Sequence, residues 1–370
     1  MAQRSLSAVR PPLVDHRRQE SPAPSIVSAG GRLGLYAELS KARLSALVVV
    51  TAGAGYAAGA EVFDPVTFSC VAAGTSLAAA SANTFNQWIE RNRDKLMKRT
   101  CERPLPSGRI STSEAFGWGV ASAGSSTALL LAGTNPVTAG LGAFNIGLYA
   151  LPYTLSKPKT EWNTWTGALV GAIPPVMGWT AAGGCVLAAE PFLLASTLFL
   201  WQFPHFFALA WIHRKDYARG GHQMVPVNDP SGERTARLVF NYSLAMMPVP
   251  VLASALDVTS WMFAVEGIGI STYAIMLAND FKRERTNDNA RRVFKCSLWS
   301  LPLTLALFLF HRKHAASESN DEGSFLSNAK ASGKQFCLHE QLSRPGGGKT
   351  LCPKVDAVQK VPPALSDSPR

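Results

Sequence analysis

The chain has 370 residues and a formal net charge of +11, from 36 Lys and Arg against 25 Asp and Glu. Its six cysteines (Cys70, Cys101, Cys185, Cys296, Cys337 and Cys352) show neither paired spacing nor a metal-knuckle pattern, which argues against a disulfide framework. Apolar residues gather in long runs with the basic residues between them, a placement that speaks against several soluble domains and against a nucleic-acid-binding surface.

Residues 1–35 are read as an N-terminal presequence or disordered segment. Arg4, Arg10, Arg17 and Arg18 outnumber Asp15 and Glu20 there, and the apolar core of a secretory signal is missing. That composition resembles a mitochondrial presequence, with a plain disordered terminus as the simpler reading. Crossing roughly 30 Å of hydrocarbon takes about 17–25 apolar residues. Runs of that kind cover Leu44–Val62, Pro65–Gln87, Thr112–Ala132, Val137–Thr154, Trp165–Leu187, Pro191–Ile212, Leu238–Leu256, Thr259–Ala278 and Arg292–Phe310. The last is the weakest, since only Cys296–Phe310 is free of charge. The prediction is an all-α polytopic protein of about nine transmembrane helices in a lipid bilayer, its mean hydropathy held to +0.07 by polar ends.

Asn86, Glu90 and Asp94 close the second run at a spacing of four, which on a helix makes one polar stripe, with Asn83 just before it. Seven cations follow or interleave: Arg91, Arg93, Lys95, Lys98, Arg99, Arg103 and Arg109. Mg²⁺ takes oxygen ligands, usually one or two carboxylates plus phosphate oxygens and water, so the stripe suggests a Mg²⁺-bridged diphosphate site. A solvated helix end paired to Arg91 or Lys98 fits the spacing equally well.

Further along, Lys157 lies in Tyr153-Thr154-Leu155-Ser156-Lys157-Pro158-Lys159, either as a point charge for a leaving diphosphate or as one more orientation-setting lysine. Pro174-Pro175 and Pro204 fall inside apolar runs, where a bundle tolerates kinks that line cavities. Gly167, Ala168, Gly171, Ala172 and Gly178 allow close helix approach. His205, within Trp201-Gln202-Phe203-Pro204-His205-Phe206-Phe207, is an intramembrane histidine suited to haem contact or proton handling, although aromatic packing also accounts for the stretch. Asp216, in His213–Met224, offers a second acidic group beside cations, and Gly220-Gly221 permits close backbone approach; alone, the stretch reads as a flexible turn.

The remaining cations follow the same alternation. Lys157, Lys159, Arg214, Lys215, Arg219, Arg234, Arg237 and six residues in 281–295 fall in every second loop, and loops 57–66, 133–136, 183–191 and 256–260 have no Lys or Arg. That is the positive-inside pattern, so the basicity is mostly topological. Residues 312–370 read as a disordered polar tail, and Gly346–Thr350 lacks the spacing and setting of a phosphate loop.

Taken in order, these stretches resemble the UbiA superfamily of intramembrane prenyltransferases, in its haem-modifying branch. The resemblance runs over roughly residues 35–310. It rests on Leu39-Ser40-Lys41 and the following apolar run, Asn83–Leu105, Asn163–Trp179 with its Pro174-Pro175-Val176-Met177-Gly178-Trp179 block, Phe203-Pro204-His205-Phe206, Asp216-Tyr217 and Arg219-Gly220-Gly221. It implies a UbiA-like bundle with a central cavity opening to the basic side. It also implies Asn86, Glu90 and Asp94 as the first diphosphate motif and Asp216 as the second, all four as catalytic and Mg²⁺-binding residues. Arg99, Arg103, Lys157 and Asn83 are implied as diphosphate contacts, and His205 as a haem contact. Gly220 stands where a second Asp is otherwise expected, and Lys157-Pro158 where a Lys-Arg pair is.

The implied donor is farnesyl diphosphate and the implied acceptor haem b, a substrate rather than a cofactor. Further implications are the mitochondrial inner membrane with basic loops toward the matrix, hand-off to haem A synthase, and a homo-oligomer. Two rivals remain. An aromatic acceptor such as a quinone precursor is disfavoured by the haem-branch blocks, and a transporter by the lack of a visible inverted repeat.

Overall fold

The computed structural model describes residues 29–313; the presequence assignment up to residue 28 and the tail assignment from residue 314 lie outside the described residues. Among them the chain is helical, and one isolated bridge, Thr259 to Arg312, is the only β-type pairing. Helix α1 (Ala29–Leu39) leads into α2 (Ala42–Gly59), α3 (Pro65–Asp94) and α4 (Thr112–Gly133). Then come α5 (Pro136–Leu148), a π-helical turn (Tyr149–Tyr153), α6 (Thr154–Ser156), α7 (Asn163–Ala181), α8 (Ala189–Ile212) and α9 (Arg214–Arg219). The last four are α10 (Glu233–Met246), α11 (Pro248–Ala255), α12 (Trp261–Arg283) and α13 (Asn287–Phe310).

Local chemistry sets these boundaries. Asp64 accepts from the Val66 and Thr67 N–H groups ahead of Pro65, and Asn135 accepts from Thr138 ahead of Pro136. Both combine a polar cap with a proline at the first helical position, where a missing N–H costs nothing. The Ser111 and Thr286 hydroxyls cap α4 and α13 by accepting from the Glu114 and Asn289 N–H groups, without a proline. Asp229 gathers the N–H groups of Gly232 and Thr235 and both their neighbouring hydroxyls, from Ser231 and Thr235, to start α10. Burial pushes its carboxyl upward, but these donors outweigh that and hold it below the usual carboxylate range.

Among the described residues, seven helical segments are long and apolar enough to cross a membrane: α2, α3, α4, α8, α10 with α11, α12 and α13. Length and composition therefore support seven of the nine expected crossings. The fourth is interrupted, because α5 is 13 residues long and the π turn with Pro152 follows it. The fifth, α7, starts at Asn163 and ends at Ala181, short of the expected Leu187. Two other segments also depart from expectation: α3 continues past Gln87 to Asp94, and the seventh run breaks at Met247 before Pro248.

Around the bundle, α2 lies against α3 and α7, α3 against α4, and α4 against α5. On the other side α7 meets α8, α8 meets α10 and α13, and α12 packs on α10, α11 and α13. The α2–α7 contact is the tightest, since a Cβ on Gly178 would sit inside the Ala52 carbonyl and one on Gly55 inside that of Pro175. Small residues bring the two backbones together, as helices do where water supplies no drive. Large apolar side chains such as Leu47, Val50, Phe144, Val265 and Phe310 face outward, where lipid solvates them.

Candidate active site at the basic end

The basic segments that the sequence places apart meet at one end of the bundle. Arg234 pairs with Glu161 at 2.6 Å, Arg214 donates to Asn287, and the N–H groups of Lys98 and Arg99 donate to the two oxygens of Asp216 at 2.9 and 3.3 Å. Because α3 stays helical through Asp94, the Asn86, Glu90 and Asp94 side chains stack on one face, and all three are buried. Each carboxylate has its own cation. Lys157 Nζ lies 3.0 and 3.2 Å from the two Glu90 oxygens, and Arg103 donates to Asp94 Oδ2 at 2.9 Å. The stripe is thus a buried ionic cluster and not a solvated helix end; neither Arg91 nor Lys98 pairs with it in the hydrogen bonds and ion pairs of the described residues.

Asn86 joins the row together. Its amide N–H groups donate to Glu90 Oε2 at 2.8 Å and to Thr154 Oγ at 3.1 Å, and its oxygen accepts from Lys41 Nζ at 3.1 Å. Asn83 faces elsewhere: it donates to Ser40 O and Ser45 Oγ and accepts from the Tyr149 hydroxyl at 3.2 Å. The π turn explains the reach of Tyr149 and Thr154. An extra residue in the helical ladder, at Pro152 with its missing donor, rotates the following turn toward α3, a distortion often found at functional sites. Thr154 donates back to the Tyr149 carbonyl, and the Tyr153 ring lies 4.4 Å from Lys157 Nζ, a cation–π contact.

Sequence reasoning missed Lys41 as a site residue, although Leu39-Ser40-Lys41 is one of the stretches that carry the resemblance. It holds a left-handed backbone (φ 48°, ψ 51°) between α1 and α2, uncommon for a residue with a Cβ, and this turn aims its amine at Asn86. Desolvation by burial, then the Arg103 and Lys157 charges, lower its ammonium to about 7 against the opposing pull of Glu90 and Asp94. Lys157 goes the other way: burial lowers it, but Glu90 more than offsets that and raises it. Thr154, Tyr149 and His222 were also missed as site residues. Pro152 inside an apolar run was the available signal for the first two.

Asp94 Oδ1 is fully buried with no hydrogen-bond partner, an oxygen without a donor beside a second carboxylate and an amide. Such an oxygen fits a hard cation. Among the described residues no three His, Cys, Asp or Glu side chains converge on a metal position, so two carboxylates and Asn86 are what the chain offers, with the rest left to a substrate. Asp216 does not join them directly, because its oxygens hold the backbone of Lys98 and Arg99 and thereby fix the 95–110 segment over the site. Arg99 itself donates to the Tyr217 hydroxyl at 3.1 Å.

His205 is placed on a different face. Its Nδ1 is 2.8 Å from Ser297 Oγ on α13, and its ring stacks on Trp201 at 4.7 Å and leans on Phe294. A narrow cavity of about 40 Å³ lies next to it among α8 and α10–α13, lined by Trp201, Pro204 and Ser297 and by no residue of the α3 stripe. Of the cysteines among the described residues, Cys70, Cys101 and Cys296 carry free thiols.

A profile of the UbiA prenyltransferase family matches residues 46–308, the stretch that holds Asn86, Glu90, Asp94, Arg103 and Lys157. The chain belongs to the UbiA prenyltransferase family. Among UbiA relatives, human mitochondrial protoheme IX farnesyltransferase is 45% identical over 276 residues, covering 75% of this chain and 62% of that protein. The chain thus spans less than two thirds of the length of this relative. The protoheme IX farnesyltransferase of Solibacter usitatus is 38% identical over 75% of this chain and 98% of its own length. The UbiA fold is also seen in a solved structure of a homologue from Archaeoglobus fulgidus bound to GPP and Mg²⁺. Its TM-score is 0.56, its identity 14%, and the match covers 74% of this chain and 99% of that one. A digeranylgeranylglyceryl phosphate synthase structure matches with TM-score 0.65 and 16% identity, over 76% of this chain and 98% of that one.

Proposed function

We propose that this chain is a mitochondrial multi-pass membrane enzyme that transfers a farnesyl group from farnesyl diphosphate to a vinyl group of haem b. The product is haem O, used for haem A and cytochrome c oxidase assembly. The observation that carries this reading is the buried row Asn86, Glu90 and Asp94, flanked by Lys41, Arg103 and Lys157, in a UbiA chain with protoheme IX farnesyltransferase relatives. The basic end faces the matrix of the inner membrane, by the positive-inside rule.

Asn86, Glu90 and Asp94 would hold a Mg²⁺, a reading supported by the GPP and Mg²⁺ bound to the archaeal homologue. When bound, the ion supplies positive charge against the departing diphosphate. Lys157, Arg103 and Arg99 neutralise the diphosphate oxygens, and Asn83 with Tyr149 closes the membrane side of the row. Charge placed where it develops lowers the barrier to breaking the allylic C–O bond. A haem vinyl carbon then bonds to the farnesyl carbon, water adds to the new cation, and a proton leaves. The tight apolar bundle excludes stray water that would otherwise quench the allylic cation. Asp216 acts by fixing the Lys98–Arg99 backbone, and His205 is the candidate haem contact.

Asp94→Asn keeps the size of the side chain and removes its charge. We expect haem O formation to fall by about 100-fold or more, the scale lost when a preorganised electrostatic group is removed, with the protein still inserted in membranes. A normal product yield from that variant contradicts the site.

A further inference from the structure

Two residues beyond Gly220, the position at which the sequence lacks a second Asp, the structure buries an imidazole. His222 is 2% exposed, and its Nδ1 is buried without a hydrogen-bond partner. Its ring meets that of Tyr217 edge-on at 6.0 Å, and the adjoining Gln223 is bound to the backbone of Lys157, the partner of Glu90, which sets the ring beside the ionic cluster of α3.

The loop that carries His222 is fastened on every side. Its own N–H donates to Tyr217 O at 3.1 Å, and the Gln223 N–H donates to Lys157 O at 2.7 Å. Asn163 Nδ2 donates to Gln223 O at 2.7 Å, and Arg93 donates to Gly220 O at 3.1 Å. Gly221 takes a left-handed turn (φ 67°) that a side chain would strain, and a guanidinium nitrogen of Arg93 lies 2.9 Å from where its Cβ would be. So firm a mount for an unsatisfied ring nitrogen calls for a ligand that completes it, because buried polar groups are almost always paired. Imidazole is a poor partner for Mg²⁺, which selects oxygen. A ring N–H is a good donor to an anionic oxygen.

We propose that His222 is a diphosphate-binding residue whose Nδ1–H donates to an oxygen of the substrate diphosphate, in place of a second metal-bridging carboxylate. This rests on the diphosphate-site reading above. The test uses inorganic diphosphate with Mg²⁺ as the probe, read as a competitive inhibitor of farnesyl diphosphate consumption and by direct titration of the full chain. His222→Ala should weaken diphosphate binding about tenfold, the loss expected of one hydrogen bond to a charged group. The apparent KM for haem b should not change.

His222→Asn, whose amide reaches the Nδ1 position, should recover binding to within about threefold of wild type. Wild-type affinity in His222→Ala overturns the inference. So does equal loss in the Ala and Asn variants when both melt at the wild-type temperature. If the wild-type chain itself binds no diphosphate, the underlying site reading fails instead.

Discussion

Glu90 and Lys157 have side chains only 6% and 11% exposed, so their pairing differs in kind from the Arg219–Asp216 contact at 3.7 Å, whose arginine is half exposed. A surface pair contributes little, whereas removing one member of a buried pair strands a charge and costs about 3–5 kcal/mol. Lys157→Met should therefore lower the melting temperature of the detergent-solubilised protein markedly. Adding Glu90→Gln should recover most of that stability without restoring turnover, because the proposed mechanism assigns both groups to the diphosphate site. A double variant no more stable than Lys157→Met would show that the lysine acts through packing. The stripe itself was legible, since a spacing of four on a helix makes one face. Which cation meets which carboxylate was not, because Arg103, Lys157 and Lys41 come from three segments and a spacing rule cannot see across them.

At the scale of elements, the distance between α2 and α7 decides whether the site closes, since Lys41 and Lys157 lie at the basic ends that these helices help to position. Gly178 and Gly55 leave no room for a methyl group against the facing carbonyls. Gly178→Ala should cost about 1–3 kcal/mol or more, the range for overpacking, read as a lowered melting temperature with reduced turnover. Gly117→Ala on α4, with nothing within 4 Å of its would-be Cβ, should leave both unchanged. Equal behaviour of the two variants would refute the close-contact account. Small residues in the Gly167–Gly178 stretch pointed to close approach, but not to α2 as the partner. The π turn at Tyr149–Tyr153 was also hidden, because hydrophobic periodicity does not distinguish a continuous helix from one with an extra residue.

For the whole molecule, alternating apolar runs and basic loops predicted one basic end, and the contacts Lys98–Asp216, Arg234–Glu161 and Arg214–Asn287 gather those loops there. Run lengths were less dependable: the fourth and fifth crossings carry proline and glycine within or beside them and fall short on length or composition. A bundle that collects two carboxylates, an asparagine and at least three cations at one end, and apolar residues elsewhere, suits a substrate with a charged head and a long hydrocarbon tail. The most direct measurement incubates the purified chain with haem b, farnesyl diphosphate and Mg²⁺ and determines the product mass. The account predicts haem b plus one farnesyl group and one hydroxyl group, with one inorganic diphosphate released for each product. Unmodified haem, or farnesol with no haem adduct, would contradict it.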